Sequence, residues 1–244
     1  MTFSICAREP YRGDSGEIHY RFGTAVTTRL PGVGTLCPFV SEYGAIATQS
    51  VVNVELGKKG IAYLEDGLEI QDALTALLNT DEGKEERQIH GVDRNGSYVF
   101  TGSNCRNWCG HYDGHSFTIA GNFLTDEGVL EAVKNTYIER SPVAVGPDQV
   151  GTREPFAKRL IDALDAGHAA GGDKRTELQI QSAALKIGTT ETYSFDPAFH
   201  DLRVDATKTP IMDLRETYKL AVAGHSTLLN RYEDTYESDS KAGR

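Results

Sequence analysis

The sequence lacks any long uninterrupted apolar segment. No apolar run approaches the roughly 18 residues that a membrane-spanning helix needs. The N-terminus, MTFSICAREP, also lacks a basic stretch followed by the roughly 7–15 apolar residues of a secretory signal. We therefore expect a cytoplasmic protein with no membrane partner.

Cysteine and basic residues are both scarce. Only four cysteines occur in 244 residues, at positions 6, 37, 105 and 109, and such sparse use is typical of reduced thiols in the cytosol. Lys and Arg number 25 against 35 Asp and Glu, which gives a formal net charge of −10. Because nucleic-acid binding calls for a basic stripe, this balance indicates that no nucleic acid is a partner.

The common motifs of cofactor binding and hydrolysis are missing as well. Gly32-Val33-Gly34 has no third glycine to complete a dinucleotide-binding loop. There is no G-x-x-x-x-G-K-[ST] for phosphates, no H-E-x-x-H for zinc and no G-x-S-x-G nucleophile elbow. The sequence thus gives no support to the dinucleotide, P-loop, zincin and α/β-hydrolase classes, and we expect no cofactor.

What is present is an ordinary globular composition, with 39% hydrophobic and 25% charged residues. At roughly 150 residues per domain, the length corresponds to about 1.6 domains. No internal repeat or linker divides the chain, and the last residues are polar. We expect one domain over residues 1–236, followed by a flexible tail at 237–244.

Alternating apolar and polar residues predict a chain rich in strands. Phe3, Ile5 and Ala7 alternate with Thr2, Ser4 and Cys6, which is the period of a strand. The tight-turn pair at 95–96 separates two later candidates. The predicted strands are 2–7, 17–22, 33–39, 45–49, 88–93, 97–101, 116–120 and 179–187.

Helical spacing interrupts this pattern. Ile70, Ala73, Leu74, Leu77 and Leu78 follow the spacing of an amphipathic helix. Similar signals predict helices at 60–66, 130–137 and 156–164, and a long one that begins at 210. Strands first, with helices between and after them, indicate an α+β fold in which antiparallel sheet is covered by helices.

Residues 105–115 contain four side chains of the types that bind zinc. They are Cys105, Cys109, His111 and His115. Their spacing is not that of a zinc finger, and no second cysteine pair accompanies them. We favour packed thiols in a Gly-rich loop over a metal site, and keep a metal-dependent hydrolase as the weakest alternative.

The chain start offers a different chemistry. After removal of the initiator Met1, the hydroxyl of Thr2 would lie beside a free α-amino group, whose ordinary pKa is roughly 7.7–8.0. An N-terminal threonine then contains both its nucleophile and its base. Many proteins begin Met-Thr, so the dipeptide alone is a weak signal.

An ordered set of motifs along the chain strengthens the interpretation of Thr2 as a nucleophile. The chain resembles the uncharacterised domain-of-unknown-function family 1028 over roughly residues 2–222. The segments that carry the resemblance are TFSICAREP (2–10), GAIATQ (44–49), RQIHGVD (87–93), TGSNC (101–105), WCGH (108–111), GNFL (121–124), LIDALDAGHAAGGDKR (160–175), QSAAL (181–185) and DLRVD (201–205).

This resemblance implies a fold and suggests a chemistry. The family is grouped with the N-terminal-nucleophile (Ntn) hydrolases, whose fold is a four-layer αββα sandwich and which usually cleave amide bonds. One departure is visible, because TELQI (176–180) separates Arg175 from Gln181 where the family runs almost directly onward. The loop around Asp173 and Arg175 is therefore expected to be longer than usual.

Three residues are our catalytic candidates. Thr2 is the nucleophile, and the Asn122 amide is a candidate donor to the oxyanion of the tetrahedral intermediate. Asp173, which follows two glycines, is a candidate to bind the α-ammonium or a substrate amine. Each also has a simpler interpretation: Thr2 as an ordinary second residue, Asn122 as a turn residue that ends a strand, and Asp173 as a turn or N-cap residue.

Five residues are candidates for substrate binding. Arg175 and Arg87 could each clamp a carboxylate. Gln49 and Thr48 end a predicted strand and are candidates to line the pocket. His111, placed in the Gly-rich loop, is a candidate to orient the substrate.

Two main functions follow from these assignments. The first is an amidohydrolase acting on a small amide or peptide-like compound, and the second is a non-catalytic binding or assembly protein that keeps the fold. They differ in whether Met1 is removed. Oligomeric state stays open, with a homo-oligomer as one option.

Overall fold

The computed structural model describes residues 2–13, 16–141, 155–192 and 196–242. Within these ranges the chain forms ten strands and five helices. The strands are β1 (Thr2–Arg12), β2 (Ile18–Thr28), β3 (Pro38–Val40), β4 (Gly44–Ser50), β5 (Arg87–Asp93), β6 (Ser97–Thr101), β7 (Trp108–Asp113), β8 (Phe117–Leu124), β9 (Gln181–Thr189) and β10 (Asp201–Thr207), and the helices are α1 (Val54–Glu65), α2 (Ile70–Thr80), α3 (Gly128–Arg140), α4 (Phe156–Ala169) and α5 (Pro210–Ala242).

The strands make two antiparallel sheets that face one another. The larger has the order β10-β9-β2-β1-β8-β7, and the smaller has the order β3-β4-β5-β6. Helices α3, α4 and α5 pack on the outer face of the larger sheet, while α1 and α2 cover the outer face of the smaller. The prediction of an α+β fold with antiparallel sheets covered by helices is confirmed. None of the described helices combines the length and apolar character needed to cross a bilayer.

Strand β1 shows how the sequence builds the layers. Phe3, Ile5 and Ala7 belong to the apolar cluster shared with α3 and α4, whereas Cys6 lies in the cluster between the sheets. The two-residue period of a strand therefore places Thr2, Ser4 and Cys6 on the inner face. This predicted alternation decides which side chains meet the opposite sheet.

Several predicted element boundaries were wrong. Residues 33–39 are not one strand, because Gly32 adopts a left-handed φ of 75° and a 3-10 turn follows over Val33–Thr35, leaving only Pro38–Val40 as β3. Helix α1 starts at Val54, ahead of the predicted start at 60. Gly57 lowers the helix propensity of this first turn, so the sequence did not indicate it. Glycine is required there because a side chain at position 57 would overlap the ring of Phe39.

Two strands were missed. Strand β7 lies where the sequence predicts a Gly-rich loop, and its exposed half shows little apolar alternation. Strand β10 has only one fully buried residue, Leu202, among exposed charges. Edge strands of this kind carry a weak hydrophobic signal because one face and one edge meet solvent.

Residues 237–242, predicted as a tail, continue α5, while 243–244 lie outside the described residues.

A buried ion pair fixes α4 against the larger sheet. The Arg159 guanidinium, fully buried on α4, contacts the Glu9 carboxylate of β1. Arg21 Nε of β2 donates to the same carboxylate at 2.6 Å. A buried charge is tolerated only when paired, so the helix, β1 and β2 depend on one another here.

We expect Arg159→Met to lower the free energy of unfolding by about 3 kcal/mol, because it removes one partner of a buried charge. The matched control is Lys158→Met on the same helix, whose partly exposed pair with Asp162 predicts a loss below about 1 kcal/mol. Urea unfolding measures both. Equal losses would contradict a special role for the buried pair.

Candidate functional site

Thr2 opens β1 at one end of the sandwich. It lies opposite Thr28 of β2 and Asn122 of β8, its two neighbours in the sheet. The Thr2 hydroxyl donates to Thr28 Oγ1 at 3.2 Å and is partly buried. Two of the three catalytic candidates, Thr2 and Asn122, are thus side by side.

Strand β8 is distorted next to Thr2. Trp108 pairs with Leu124 and Gly110 pairs with Gly121. Two residue steps on β7 therefore lie opposite three residue steps on β8. The extra residue forms a β-bulge, and Phe123 takes a positive φ of 55°, which is costly for a side chain of this size. Asn122 itself stays in regular register with Thr2, so it continues the inner-face alternation of Thr118 and Ala120 and the distortion begins just beyond it.

A single amide, that of Gln88 on β5, organises the space between the sheets. Gln88 Nε2 lies 3.0 Å from each of two backbone carbonyl oxygens, those of Gly110 on β7 and Gly121 on β8. Carbonyl oxygens only accept, so this end of the amide must be the NH₂ group. Gln88 Oε1 therefore faces the other way, where it accepts from Gln49 Nε2 at 2.7 Å and Asn122 Nδ2 at 3.1 Å.

The same logic fixes the rest of the chain of hydrogen bonds. Gln49 Oε1 accepts from the Ser4 hydroxyl at 2.8 Å. Since the Ser4 proton is used there, His90 Nε2, at 2.8 Å from Ser4 Oγ, is the donor to it. His90 Nδ1 then accepts from the Thr118 hydroxyl at 2.8 Å.

This direction decides the chemistry of the Ser4–His90 pair. A catalytic base must accept the proton of its nucleophile, and here the imidazole donates to the hydroxyl instead. Both side chains are fully buried. Burial, and to a lesser extent the charge of His111, lowers the pKa of His90 to about 3, which keeps the ring neutral. Ser4 and His90 therefore have structural roles in the hydrogen-bonded layer between the two sheets, which also contains Gln49, Gln88 and Thr118.

Asp173 lies on the neighbouring loop and is already paired. It forms a β-bridge with Leu124, two residues beyond Asn122. Its carboxylate accepts from Arg175 N at 2.7 Å and contacts the Arg175 guanidinium at 3.2 Å. Arg29 Nε lies 3.9 Å away on the other side. Burial raises the pKa of Asp173, while the Arg175 and Arg29 contacts oppose that shift.

Arg175 approaches the bulge. Its guanidinium carbon lies 4.8 Å from the centre of the Phe123 ring. The structure thus gathers Asp173 and Arg175 beside the strand that carries Asn122. A substrate amine at Asp173, or a carboxylate at Arg175, would compete with an existing ion pair.

Arg87 and Thr48 are not drawn into this cluster. The Arg87 guanidinium pairs with Asp81, with Nε 2.8 Å from Oδ2, and donates to Val51 O at 2.8 Å. This pairing raises the pKa of Arg87. Thr48 pairs with Ile89 of the face that meets α1 and α2, opposite to the face of Gln49. Gln49 alone of that predicted pair reaches the layer between the sheets.

His111 connects the layer to the surface. It lies on β7, contrary to the predicted loop, and the residue as a whole is exposed. Its Nδ1 lies 2.9 Å from Thr101 Oγ1, which in turn lies 2.9 Å from Gln88 Nε2. Desolvation lowers the pKa of His111, and the Asp113 carboxylate opposes this.

The zinc-type side chains point to separate partners. Cys105 Sγ lies 3.3 Å from Arg87 O, and Cys109 Sγ lies 3.4 Å from Cys105 O. Across the part of the chain that the structure describes, no three His, Cys, Asp or Glu side chains are placed to hold a metal ion.

Sequence reasoning missed the centre of this arrangement. Gln88, His90, Ser4, Thr118 and Thr101 were not singled out. A signal did exist, because Gln88 and His90 are polar residues two apart on a strand whose intervening Ile89 is apolar. Such a pattern indicates a polar face, and in a buried strand that face must find partners.

Comparisons with known proteins place the chain among uncharacterised relatives. A family model described as "Family of unknown function (DUF1028)" matches residues 2–214. Among solved structures the chain is similar to that of protein SPO2555 from Silicibacter pomeroyi, described under the same family, with 26% identity and a TM-score of 0.69 over 90% of this chain and 88% of that one. No functionally curated protein matches.

We expect Gln88→Glu to destabilise the protein at pH 7 by about 3 kcal/mol or more, because an ionised oxygen would face the Gly110 and Gly121 carbonyls without a cation. Gln88→Met is the control that removes the same hydrogen bonds without adding charge. The difference in free energy of unfolding between the Glu and Met variants, measured by urea unfolding, should narrow at acidic pH as the new carboxyl protonates. A Glu variant as stable as the Met variant at pH 7 would contradict the assigned orientation.

The buried neutral His90 predicts acid sensitivity. Its folded-state pKa of about 3 lies below the ordinary value of 6.5, so the unfolded chain binds the proton more readily. Its contribution to stability is complete above pH 6.5 and is lost as pH falls towards 3, at up to about 1.4 kcal/mol per pH unit.

We therefore expect His90→Gln to be less stable than the parent at pH 7, and the difference to shrink by about 2 kcal/mol by pH 5. Urea unfolding at several pH values checks this. His168→Gln, at an exposed position of α4, is the control. A constant difference across this range would rule out the buried neutral state.

Proposed function

Because the chain belongs to the family of unknown function DUF1028, its activity has to come from its own geometry, and we propose that it is an amidohydrolase of the N-terminal-nucleophile type with Thr2 as nucleophile. Its two facing sheets are proposed to be an Ntn-hydrolase-like αββα sandwich. One observation carries the proposal: Thr2 starts the central strand β1 with its hydroxyl on the inner face, beside Asn122 at a bulge.

The reaction follows from the two functional groups of a processed Thr2. Thr2 Oγ adds to an amide carbonyl while its proton passes to the free α-amine. The C–N bond breaks, the amine leaves with that proton, and the acyl group stays on Thr2 as an ester. Water then hydrolyses the ester and regenerates the hydroxyl. No metal or cofactor is needed.

Asn122 is proposed to stabilise the oxyanion. The orientation of Gln88 requires that Asn122 presents its NH₂ group to Gln88 Oε1. One hydrogen of that group makes this bond and the other remains for a developing oxyanion, the kind of fixed donor that typically contributes 10²–10³-fold to turnover. Gln88 is then a positioning residue for Asn122.

The loop with Asp173 and Arg175 is proposed to border the substrate. Arg175 keeps part of its side chain exposed and lies over Phe123. Arg175 would contact a polar end of a small amide or peptide-like substrate, with Asp173 holding Arg175 in place.

A binding protein without turnover is the second candidate. It is favoured by the pairing already present in the layer, where Gln49, Gln88 and His90 all have partners. In that case Met1 is retained or Thr2 lacks reactivity. Met1 itself lies outside the described residues.

A reactive β-lactone tests the nucleophile without knowledge of the substrate. The Thr2 hydroxyl would open the ring and add the whole probe, which peptide mass spectrometry locates. We expect untagged protein to lack Met1 and to be labelled at Thr2, and Thr2→Ala to react at least about 100-fold more slowly.

Thr80→Ala is the matched control, because Thr80 lies at the end of α2 with its hydroxyl bonded to Leu77 O. Its labelling rate should stay within twofold of the parent. Retained Met1, or equal labelling of the parent and Thr2→Ala, would favour the binding protein.

A further inference from the structure

A cavity lies away from the residues around Thr2. It has a volume of about 470 Å³ and opens between β3, α1 and the inner face of β9 and β10. We call it the Lys186 groove, after a lysine in its lining. None of its lining residues belongs to the layer around Gln88. Its size is that of ordinary small-molecule sites.

The lining of the Lys186 groove is basic and apolar. Three cations contribute, Lys58, Lys186 and Arg203, and none of the described lining residues is a carboxylate. The apolar part comes chiefly from Phe39 and Ile61. The groove therefore combines cationic hydrogen-bond donors with an apolar wall, and each of the three cations also has a carboxylate partner outside the lining.

The cations retain capacity for a ligand. Lys186 Nζ lies 3.5 Å from Asp201 Oδ2, and Arg203 uses Nε and Nη2 towards Asp205. Lys58 pairs with Glu55, and both side chains are largely exposed. An ammonium has three donors and a guanidinium five, so each cation can bind an anion without losing its present partner.

Two walls of the groove are fixed by glycine. A Cβ at Gly34 would lie 2.7 Å from Arg203 Cγ, so the Arg203 stem rests directly on that turn. At Gly57 of α1 a Cβ would overlap the Phe39 ring. One cation and one aromatic ring of the groove are therefore held by close packing, which lowers the entropy cost of binding.

We propose that the Lys186 groove binds a small organic anion. Its phosphate or carboxylate lies among Lys58, Lys186 and Arg203, and a short apolar group contacts Phe39 and Ile61. This site does not depend on the nucleophile at Thr2.

Isothermal titration calorimetry with phenyl phosphate tests the site, using the full chain at 50 mM NaCl. We expect millimolar or tighter binding, at least tenfold weaker at 500 mM NaCl because salt screens the charges. Inorganic phosphate and phenol, each titrated alone, should bind at least fivefold more weakly. Absence of phenyl phosphate binding, or equal binding of inorganic phosphate, would overturn the proposal.

The matched variants are Lys58→Met and Lys59→Met, neighbours on α1 of which only Lys58 lines the groove. We expect Lys58→Met to weaken phenyl phosphate binding at least threefold and Lys59→Met to change it less than twofold. Lys186→Met with Arg203→Met should weaken it at least tenfold. Equal effects at positions 58 and 59 would overturn the site, and because both lysines are solvent-facing this pair decides the matter even if the double variant unfolds.

Discussion

The Gln88 amide is the interaction on which the inner layer depends. It is fully buried, and its two ends are chemically different, so only one orientation satisfies the Gly110 and Gly121 carbonyls. This orientation in turn fixes the hydrogen-bond directions of Gln49, Ser4 and His90. A buried amide without partners costs several kcal/mol, and the sheets avoid that cost by meeting in one register.

The direction of these hydrogen bonds distinguishes the hydroxyl of Ser4 from that of Thr2, although both belong to residue types that can act as nucleophiles. Ser4 contacts an imidazole at 2.8 Å, which resembles a nucleophile with its base. The proton arrangement makes that imidazole a donor, and its pKa of about 3 keeps it from serving as a base near neutrality. Thr2, two residues earlier on the same face, lies at the open end of the strand and would carry its own base after processing. The inner layer is thus a scaffold that holds β1 and Asn122, and the proposed chemistry lies at its end.

Glycine has distinct uses in the two regions. Beside Thr2, Gly121 and Gly110 supply carbonyls to Gln88. At the Lys186 groove, Gly34 and Gly57 let an arginine stem and an aromatic ring rest against backbone. Both arrangements require close approach of the backbone, which glycine permits.

The features that depend on local periodicity could be predicted from the sequence. The alternation in residues 2–7 placed Thr2 on the same strand face as Ser4 and Cys6, and the spacing from Ile70 to Leu78 predicted the buried stripe of α2. Asn122 was singled out from its motif and does lie beside Thr2. The tertiary structure alone decided which polar groups meet, because Gln88, Asn122 and Ser4 are separated by tens of residues. It also decided that Arg87 and Asp173 have ion-pair partners and that Thr48 faces the helices. Periodicity reports the face on which a side chain lies, whereas a hydrogen bond depends on how two sheets are placed against each other, and that placement is a property of the whole fold.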